Sequence, residues 1–297
     1  MKRTVFVVLT AAATLVAAFA APDRGAGGNL FTLCLTATSS VGPHDLASAW
    51  SLAPAVIIPL LALGVAYAGR APTHLADKWR TVCFLIGYLA LSAAVLSPLC
   101  RMAATLAWAH MIQHVVLVAI APPLILLGFD HGRAGGSMIS DSDVAWRRLM
   151  AHPGWTAVPY GMLIWFWHVP RLYEASLTDV SVHLMMYASL LGAAFLFWNS
   201  VIVALRSQPV SRAWALAALT VTLAHTSALG ALLTFARHLW FPIMAPGALV
   251  WGLTPLDDQQ LAGLIMWVPM GIAYLAAALW AFGIVLADTN ATAAAGR

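Results

Sequence analysis

The chain contains very little charge. Of its 297 residues, only 9% are Asp, Glu, Lys or Arg, whereas 62% are hydrophobic. A soluble domain carries roughly 25% charged residues, which it needs to cover its surface. This composition excludes a soluble globular protein, and the formal net charge of +4 is too small to indicate nucleic-acid binding. We therefore predict a polytopic membrane protein.

Cysteine and catalytic motifs are also scarce. Cys34, Cys83 and Cys100 are the three cysteines, they are widely spaced, and no two form a CxxC pair. This pattern predicts neither a disulfide framework nor a thiolate zinc site. The sequence shows no nucleophile–base pair and no phosphate-binding loop, so we expect that the protein is not an enzyme.

The N-terminus has the pattern of a secretory signal peptide. Lys2 and Arg3 precede an apolar run from about Thr4 to Ala17, and residues 18–20 form an A-x-A cleavage site. An uncleaved first helix is the alternative, because the run is only slightly shorter than the roughly 20 residues that a span needs. Both interpretations place the following segment, residues 21–49, outside the cytoplasm.

Seven apolar segments follow the N-terminal region. Their hydrophobic runs are continuous rather than alternating, which predicts helices and excludes strands as the spanning element. The segments are approximately Trp50–Ala68, Arg80–Leu99, Leu106–Gly128, Trp155–Leu177, His183–Leu205, Ala213–Ala236 and Gln260–Ala287. The predicted fold is an all-α bundle of seven transmembrane helices over residues 50–287.

Basic residues predict the orientation of these spans. With residues 21–49 outside, eleven of the fifteen Lys and Arg residues lie on the inner side and four on the outer side. The positive-inside rule favours this arrangement over its inverse. We therefore expect the mature N-terminus outside and the tail, residues 288–297, inside.

A histidine pair lies near the outer end of the third segment. His110 and His114 are four residues apart, so they lie on one face of a helix, about one turn from each other. Such a pair can bind one metal ion through neutral ring nitrogens, with Gln113 as a partner that fixes a tautomer. The alternative is two interfacial histidines that hydrogen-bond to neighbouring carbonyls.

Two further candidates lie at outer ends of other spans. His168 follows Trp167 and precedes Pro170, which is expected to kink or end the helix there, although an aromatic belt explains the tryptophans. Asp257 and Gln260 have the spacing of a capping box. That pairing leaves Asp258 to bind a cation or to pair with a protonated histidine.

One face of the seventh segment carries methionine sulfur atoms, which are soft metal ligands. Gln259, Gly263, Met266 and Met270 recur on one face of this helix. Thioethers favour Cu(I), and imidazole also suits copper. Core packing is the alternative for both methionines, and Gly263 is expected to permit close helix contact.

Three stretches carry a family resemblance. They are HMIQHVVLVAIAPPLILLG at 110–128, WFWHVPRLYEASL at 165–177 and DQQLAGLIMWVPMGIAYL at 258–275. In this order and spacing they resemble the polytopic CtaG family of cytochrome c oxidase assembly factors. The resemblance implies a seven-span protein that helps to mature a haem–copper oxidase by delivering copper. It carries over to His110, His114, His168 and the Asp258–Gln260 motif, whereas Tyr187 stands where the family has a second histidine after His183.

The expected function follows from the residues and the resemblance together. We expect a bacterial inner-membrane assembly factor that holds copper near the periplasmic face. The expected site comprises His110, His114, His168, Asp258 and Met266. The expected partners are oxidase subunits, a periplasmic copper chaperone and the lipid bilayer. The alternatives are a copper or proton transporter, a haem-binding membrane protein with two axial histidines, and a scaffold that holds oxidase subunits without metal.

Overall fold

The described part of the chain is helical. The computed structural model describes residues 33–35, 41–69, 78–129 and 152–295, and these ranges contain no strand. The predicted all-helical class is therefore confirmed for them. The predicted signal peptide over residues 1–20, and most of the segment 21–49, lie outside the described residues.

The helices follow one another along the chain with short connections. The α-helices are α1 (Pro54–Ala68), α2 (Lys78–Leu96), α3 (Pro98–Ala103), α4 (Ala107–Val115), α5 (Ala121–Gly128), α6 (Pro153–Trp167), α7 (Pro170–Thr178), α8 (Val180–Leu205), α9 (Pro209–Thr234), α10 (Ala245–Val250) and α11 (Pro255–Ala295). A π-helical segment, Val116–Ile120, joins α4 to α5. Short 3-10 turns cover Leu33–Leu35, Leu46–Ser48 and Pro242–Met244.

Each predicted span contains at least one of these helices. Within the described ranges, five helical stretches are long and apolar enough to cross a membrane: Lys78–Leu96, Ala107–Gly128, Val180–Leu205, Pro209–Thr234 and Pro255–Ala287. The apolar α1 and the helix α6 have 15 residues each and are shorter than a typical span. The helices fit a multi-pass membrane protein, while seven crossings and the orientation stay predictions.

The fourth predicted span is broken at the expected place. Helix α6 ends at Trp167 and α7 begins at Pro170. Proline lacks an N–H and its ring clashes with the preceding turn, so it is favoured at the start of a helix and disfavoured in the interior. As a result, His168 lies at a junction between two helices.

The third predicted span changes its winding in the middle. Pro122 and Pro123 lack the N–H groups that would bind the Val118 carbonyl in α-helical or π-helical register. Two side chains take their place: the Tyr160 hydroxyl donates to this carbonyl at 3.0 Å and the Trp198 indole N–H at 2.9 Å. The π segment is therefore held by helices α6 and α8.

Helices α9 and α11 pack against each other without room for side chains between them. A Cβ on Gly263 would lie 2.8 Å from the Gly230 carbonyl oxygen, and a Cβ on Gly230 would lie 2.7 Å from the Trp267 nitrogen. Both contacts are with backbone, which cannot swing away. The expected role of Gly263 in close helix contact is confirmed.

A disulfide joins Cys34 to Cys100, so the expectation of no disulfide was wrong. Sequence spacing could not reveal this pair, because 66 residues separate the two cysteines. Helices α1 and α2 lie within that interval and return the chain to the same end of the bundle. This return is shown by the Ser51 amide, which precedes α1 and donates to the Leu96 carbonyl at the end of α2.

Candidate functional site

Four buried histidines lie near one another at one end of the bundle. Helix α4 carries His110 and His114, His168 follows α6, and His183 is in the first turn of α8. We call these four residues the histidine cluster. The His110 and His114 rings stack with centroids 4.3 Å apart, and His114 lies within electrostatic range of His110, His168 and His183. All four side chains are at least 92% buried, with His114 the most exposed at 8%.

Backbone carbonyls fix the tautomer of three of these rings. The Nδ1 atoms of His110, His168 and His183 lie 2.9, 2.7 and 2.8 Å from the carbonyl oxygens of Ala103, Ile164 and Ser176, respectively. A carbonyl only accepts hydrogen bonds, so Nδ1 carries the proton in each ring. The lone pair of the neutral ring is then on Nε2. Metal-binding histidines have this arrangement, in which the second nitrogen is held by a carbonyl or carboxylate.

The Nε2 atoms of the cluster lack partners. In the described part of the chain, all four are buried and make no hydrogen bond, and the nearby Tyr173 hydroxyl is in the same situation. The Tyr173 ring centroid lies 4.9 Å from that of His110. Buried polar atoms are nearly always paired, because an unpaired one costs about 1–3 kcal/mol. Five unpaired atoms in one region therefore indicate a place for a ligand.

A small cavity of about 10 Å³ connects part of the cluster to methionines. Its walls include His114 and His168 together with Met111, Met266 and Met270. The remaining lining is aliphatic: Val115, Val118, Ile164 and Leu190. The structure thus brings three sequence-predicted residues, His114, His168 and Met266, to one space. This volume is at the lower limit for one water molecule.

The cluster is not arranged as a closed metal cage. Among the described residues, no three His, Cys, Asp or Glu side chains are grouped so that they could hold a metal ion as they stand. Any ion in the cavity would be bound by few nitrogen atoms, with sulfur from methionine as the other available donor.

Asp258 contacts the helix that carries the histidine pair. Its two carboxylate oxygens accept hydrogen bonds from the Ala107 and Trp108 amides at 2.9 and 3.0 Å. These are first-turn N–H groups of α4, which have no partner within their own helix. The side chain is fully buried, and its negative charge also suits the positive end of the helix dipole. Asp258 therefore fixes where α4 begins, one turn before His110.

The glutamines after Asp258 hold the loop that precedes α10. The Gln259 Oε1 atom accepts from the Trp240 amide at 2.6 Å and its Nε2 donates to the His238 carbonyl at 3.1 Å. Gln260 donates to the Ala236 carbonyl at 2.9 Å. The three residues of this motif thus link the start of α11 to two neighbouring segments of the same end.

The capping box predicted from Asp257 and Gln260 was wrong. The cap of α11 is Thr254, whose hydroxyl accepts from the Asp257 amide at 3.1 Å and donates to the Asp257 carboxylate at 2.6 Å. Asp257 is thus the third residue of the helix rather than its cap. Pro255 occupies the first helical position and sets the start of the helix earlier than the apolar run.

Gln113 contacts a tyrosine and a sulfur atom rather than a histidine. Its Oε1 accepts from the Tyr187 hydroxyl, and its Nε2 lies 2.6 Å from the Ala94 carbonyl and 3.6 Å from the Cys34 Sγ. The Tyr187 ring lies 4.7 Å from the ring of His183. Gln113 therefore acts on the cluster through Tyr187, and backbone carbonyls fix the tautomers that it was expected to fix.

Three residues of this region are not among the five expected site residues. His183 is one of them, yet its Nδ1 is held across the turn between α7 and α8. Met111 and Met270 line the cavity beside Met266. The signal for Met270 was present, since it lies one turn from Met266 on the same helical face.

Together these features define a helical membrane protein with a buried pocket of histidine and methionine near one end of its bundle. The chain matches the family model described as cytochrome c oxidase caa3 assembly factor (Caa3_CtaG) over residues 60–287. It therefore belongs to this family, and the resemblance found in the sequence motifs is confirmed. No curated protein and no solved structure matches the chain.

Proposed function

We propose that the protein binds Cu(I) transiently in the pocket formed by the histidine cluster and Met266, and passes it to a subunit of cytochrome c oxidase. Family membership supports the link to oxidase assembly. The observation that carries the copper proposal is the cavity. His114 and His168, whose Nε2 atoms lack partners, line it together with the thioethers of Met266 and Met270.

The donor atoms favour Cu(I) over harder cations. Thioether sulfur is a soft ligand that prefers Cu(I), and neutral imidazole binds it as well. Calcium and magnesium require several oxygen ligands, whereas no carboxylate lines this cavity. Asp258 is the acid that the sequence predicted for this site, and both of its oxygens are occupied by amides of α4. Its role in this proposal is therefore to orient His110 and His114 rather than to bind the metal.

The loose arrangement of donors suits a transfer protein. A closed cage of four strong ligands would hold the metal too firmly to release it. Here no complete set of strong ligands is preformed in the described residues, and the cavity of about 10 Å³ must widen to admit an ion. His110, stacked on His114, supplies a neighbouring position to which the ion can step. In this proposal the pocket lies near the periplasmic face, which the distribution of basic residues supports.

The cavity size disfavours haem as the ligand. Pockets for ligands of that size enclose about 300–1,000 Å³, far more than the volume between His114 and His168. A copper or proton transporter would require a polar path from the cluster to the other end. Val115 and Val118 instead line the cavity toward the π segment.

Metal analysis of the purified protein tests the proposal. We expect about one copper per chain after anaerobic loading with Cu(I), and loss of most of it in a His110→Ala, His114→Ala double variant. The matched control is His238→Ala, because this exposed side chain lies at the same end of the bundle and outside the cluster. Equal copper in the double variant and the control, with oxidase assembly intact in cells, would contradict the proposed site.

Replacing Met266 by Leu separates the role of its sulfur as a copper ligand from the role of its side chain in packing. Met266→Leu preserves volume and removes only the sulfur, so it should cost less than about 1.5 kcal/mol of stability. We expect weaker Cu(I) binding and a thermal transition lowered by no more than about 3–6 °C. A Met266→Leu protein that binds Cu(I) as tightly as wild type would remove this residue from the site.

A further inference from the structure

The disulfide between Cys34 and Cys100 contacts two residues, Tyr187 and Gln113, that lie next to the histidine cluster. The Sγ atom of Cys34 is 3.6 Å from the Tyr187 hydroxyl and 3.6 Å from the Gln113 Nε2. Both sulfur-bearing side chains are buried, with 1% exposure for Cys34 and none for Cys100. Sulfur, the phenol and the amide thus form one contact network inside the protein.

This network reaches the histidines on two sides. On one side, the Tyr187 ring packs 4.7 Å from that of His183 and 6.3 Å from that of His114. On the other side, Cys100 lies in α3, whose last residue, Ala103, accepts the hydrogen bond from the His110 Nδ1. Cys34 therefore contacts the tyrosine that packs against His183 and His114. Cys100 lies in the helix whose last residue holds His110.

Cys34 and Cys100 can bind a metal as thiolates only when their disulfide is reduced. A disulfide sulfur is a poor ligand, whereas a thiolate is among the strongest ligands for Cu(I). The unpaired Nε2 atoms of the cluster mark the adjoining space as a ligand site. Opening the disulfide would add two thiolates at the edge of that site.

We propose that Cys34 and Cys100 are a second pair of copper ligands, masked as a disulfide and exposed by a dithiol reductant, through which Cu(I) reaches the histidine cluster. This inference rests on the copper site proposed above and adds its regulation. In the oxidised state the histidine and methionine donors hold copper weakly. In the reduced state the thiolates raise the affinity and load the site.

The exchange step balances without any change in the metal. A thiolate of the reductant attacks one sulfur of the disulfide and forms a mixed disulfide, which the second thiol of the reductant then resolves. The reductant becomes a disulfide, and two electrons and two protons pass to Cys34 and Cys100. Binding of Cu(I) then releases the thiol protons, and copper remains Cu(I) throughout. Because both sulfurs are buried, the three-residue turn Leu33–Leu35 must move outward before attack.

The test compares Cu(I) affinity of the full chain in its two redox states. Purified protein in detergent is either left oxidised or reduced with a phosphine that is then removed, and Cu(I) is titrated anaerobically against bicinchoninate. We expect reduced wild type to bind at least about tenfold more tightly than oxidised wild type. X-ray absorption of the reduced complex should show copper–sulfur scattering stronger than that of a Cys34→Ser, Cys100→Ser double variant, which keeps Met266.

Cysteine variants supply the controls. A Cys34→Ser, Cys100→Ser variant should bind with the affinity of oxidised wild type under both conditions. Cys83→Ser removes the free cysteine of α2 and should keep the full effect of reduction. The single variants Cys34→Ser and Cys100→Ser also lack the disulfide while each keeps one thiol, and they should show an intermediate affinity.

Each contrary outcome has a distinct meaning. Equal affinity in the two redox states overturns the inference, as does a reduction effect that survives in the double cysteine variant. Reduction that lowers both the copper affinity and the thermal transition would make the disulfide a structural brace only, which also overturns it. If His110→Ala, His114→Ala leaves the affinity unchanged while the cysteine effect remains, the proposed histidine site fails and the cysteine pair stands alone.

Discussion

Replacing Asp258 by Asn should destabilise the protein through one helix terminus. The carboxylate binds the Ala107 amide with one oxygen and the Trp108 amide with the other, at 2.9 and 3.0 Å. An Asn side chain has nearly the same shape but only one accepting oxygen. Its NH₂ group would face one of the two amides, donor against donor.

The cost can be worked from these contacts. One hydrogen bond to a charged acceptor contributes about 1.5–3 kcal/mol, and the buried amide that loses its partner costs about 1–3 kcal/mol. Loss of the charge at the start of α4 adds about 0.3–2 kcal/mol. Because these contributions overlap, we expect a net loss of about 3 kcal/mol. At about 2–4 °C per kcal/mol for domains of this size, the transition should fall by roughly 6–12 °C.

The matched control is the adjacent acid. Asp257 is exposed and its carboxylate accepts a hydrogen bond from the hydroxyl of the Thr254 cap, so Asp257→Asn should cost about 0.5 kcal/mol or less. Thermal unfolding in detergent can be followed by intrinsic fluorescence, because the chain has 13 tryptophans. If the two Asn variants unfold within about 1 °C of each other, the reasoning that Asp258 holds α4 in place is refuted.

Two further substitutions test the packing below the pocket. Gly263→Ala places a Cβ 2.8 Å from the Gly230 carbonyl and should cost about 1–3 kcal/mol in the same unfolding assay. Gly283→Ala meets nothing within 4 Å and should stabilise the protein by about 0.5–1 kcal/mol, because Ala is the better helix former, so equal transitions for both would contradict the close contact. Tyr160→Phe removes one of two donors to the Val118 carbonyl, where the indole of Trp198 remains, and it also removes the hydrogen bond to the buried Tyr274 hydroxyl. It should therefore cost about 2–3 kcal/mol and leave copper content unchanged, and a large loss of copper would tie this tyrosine to the site.

The fold was largely predictable because the membrane imposes simple requirements on each segment. Continuous apolar runs across a membrane are expected to be helices, and Pro170, two residues after His168, favours a break in one. The ends were less predictable. The predicted seventh segment begins at Gln260, where the continuous apolar run starts. Helix α11 begins earlier, at Pro255, because Thr254 caps the helix and proline is favoured at the first helical position.

The site was predictable only where its signal is local. The spacing of His110 and His114 is visible in the sequence, and so is the stripe that carries Met266. The pairing of Asp258 with α4 spans about 150 residues and has no local mark. The same holds for the disulfide, since nothing near Cys34 indicates which cysteine lies beside it.

The π segment affects how the two ends of the third predicted span are rotated relative to each other about the helix axis, and this span carries His110 and His114. An additional residue in a helix turns everything beyond it by about 100° and shifts it by about 1.5 Å. At one end, Asp258 fixes the angular position of Ala107, and at the other end Gly87 lies so close to Leu124 that a Cβ would be 2.9 Å away. The π segment, residues 116–120, therefore allows Ala107 to contact Asp258 and Leu124 to contact Gly87 at the same time. A regular α-helix would point one of these two residues away from its partner. Deleting one residue of the π segment would rotate the two ends of the span relative to each other. Either His110 and His114 or the contact with α2 would then be displaced.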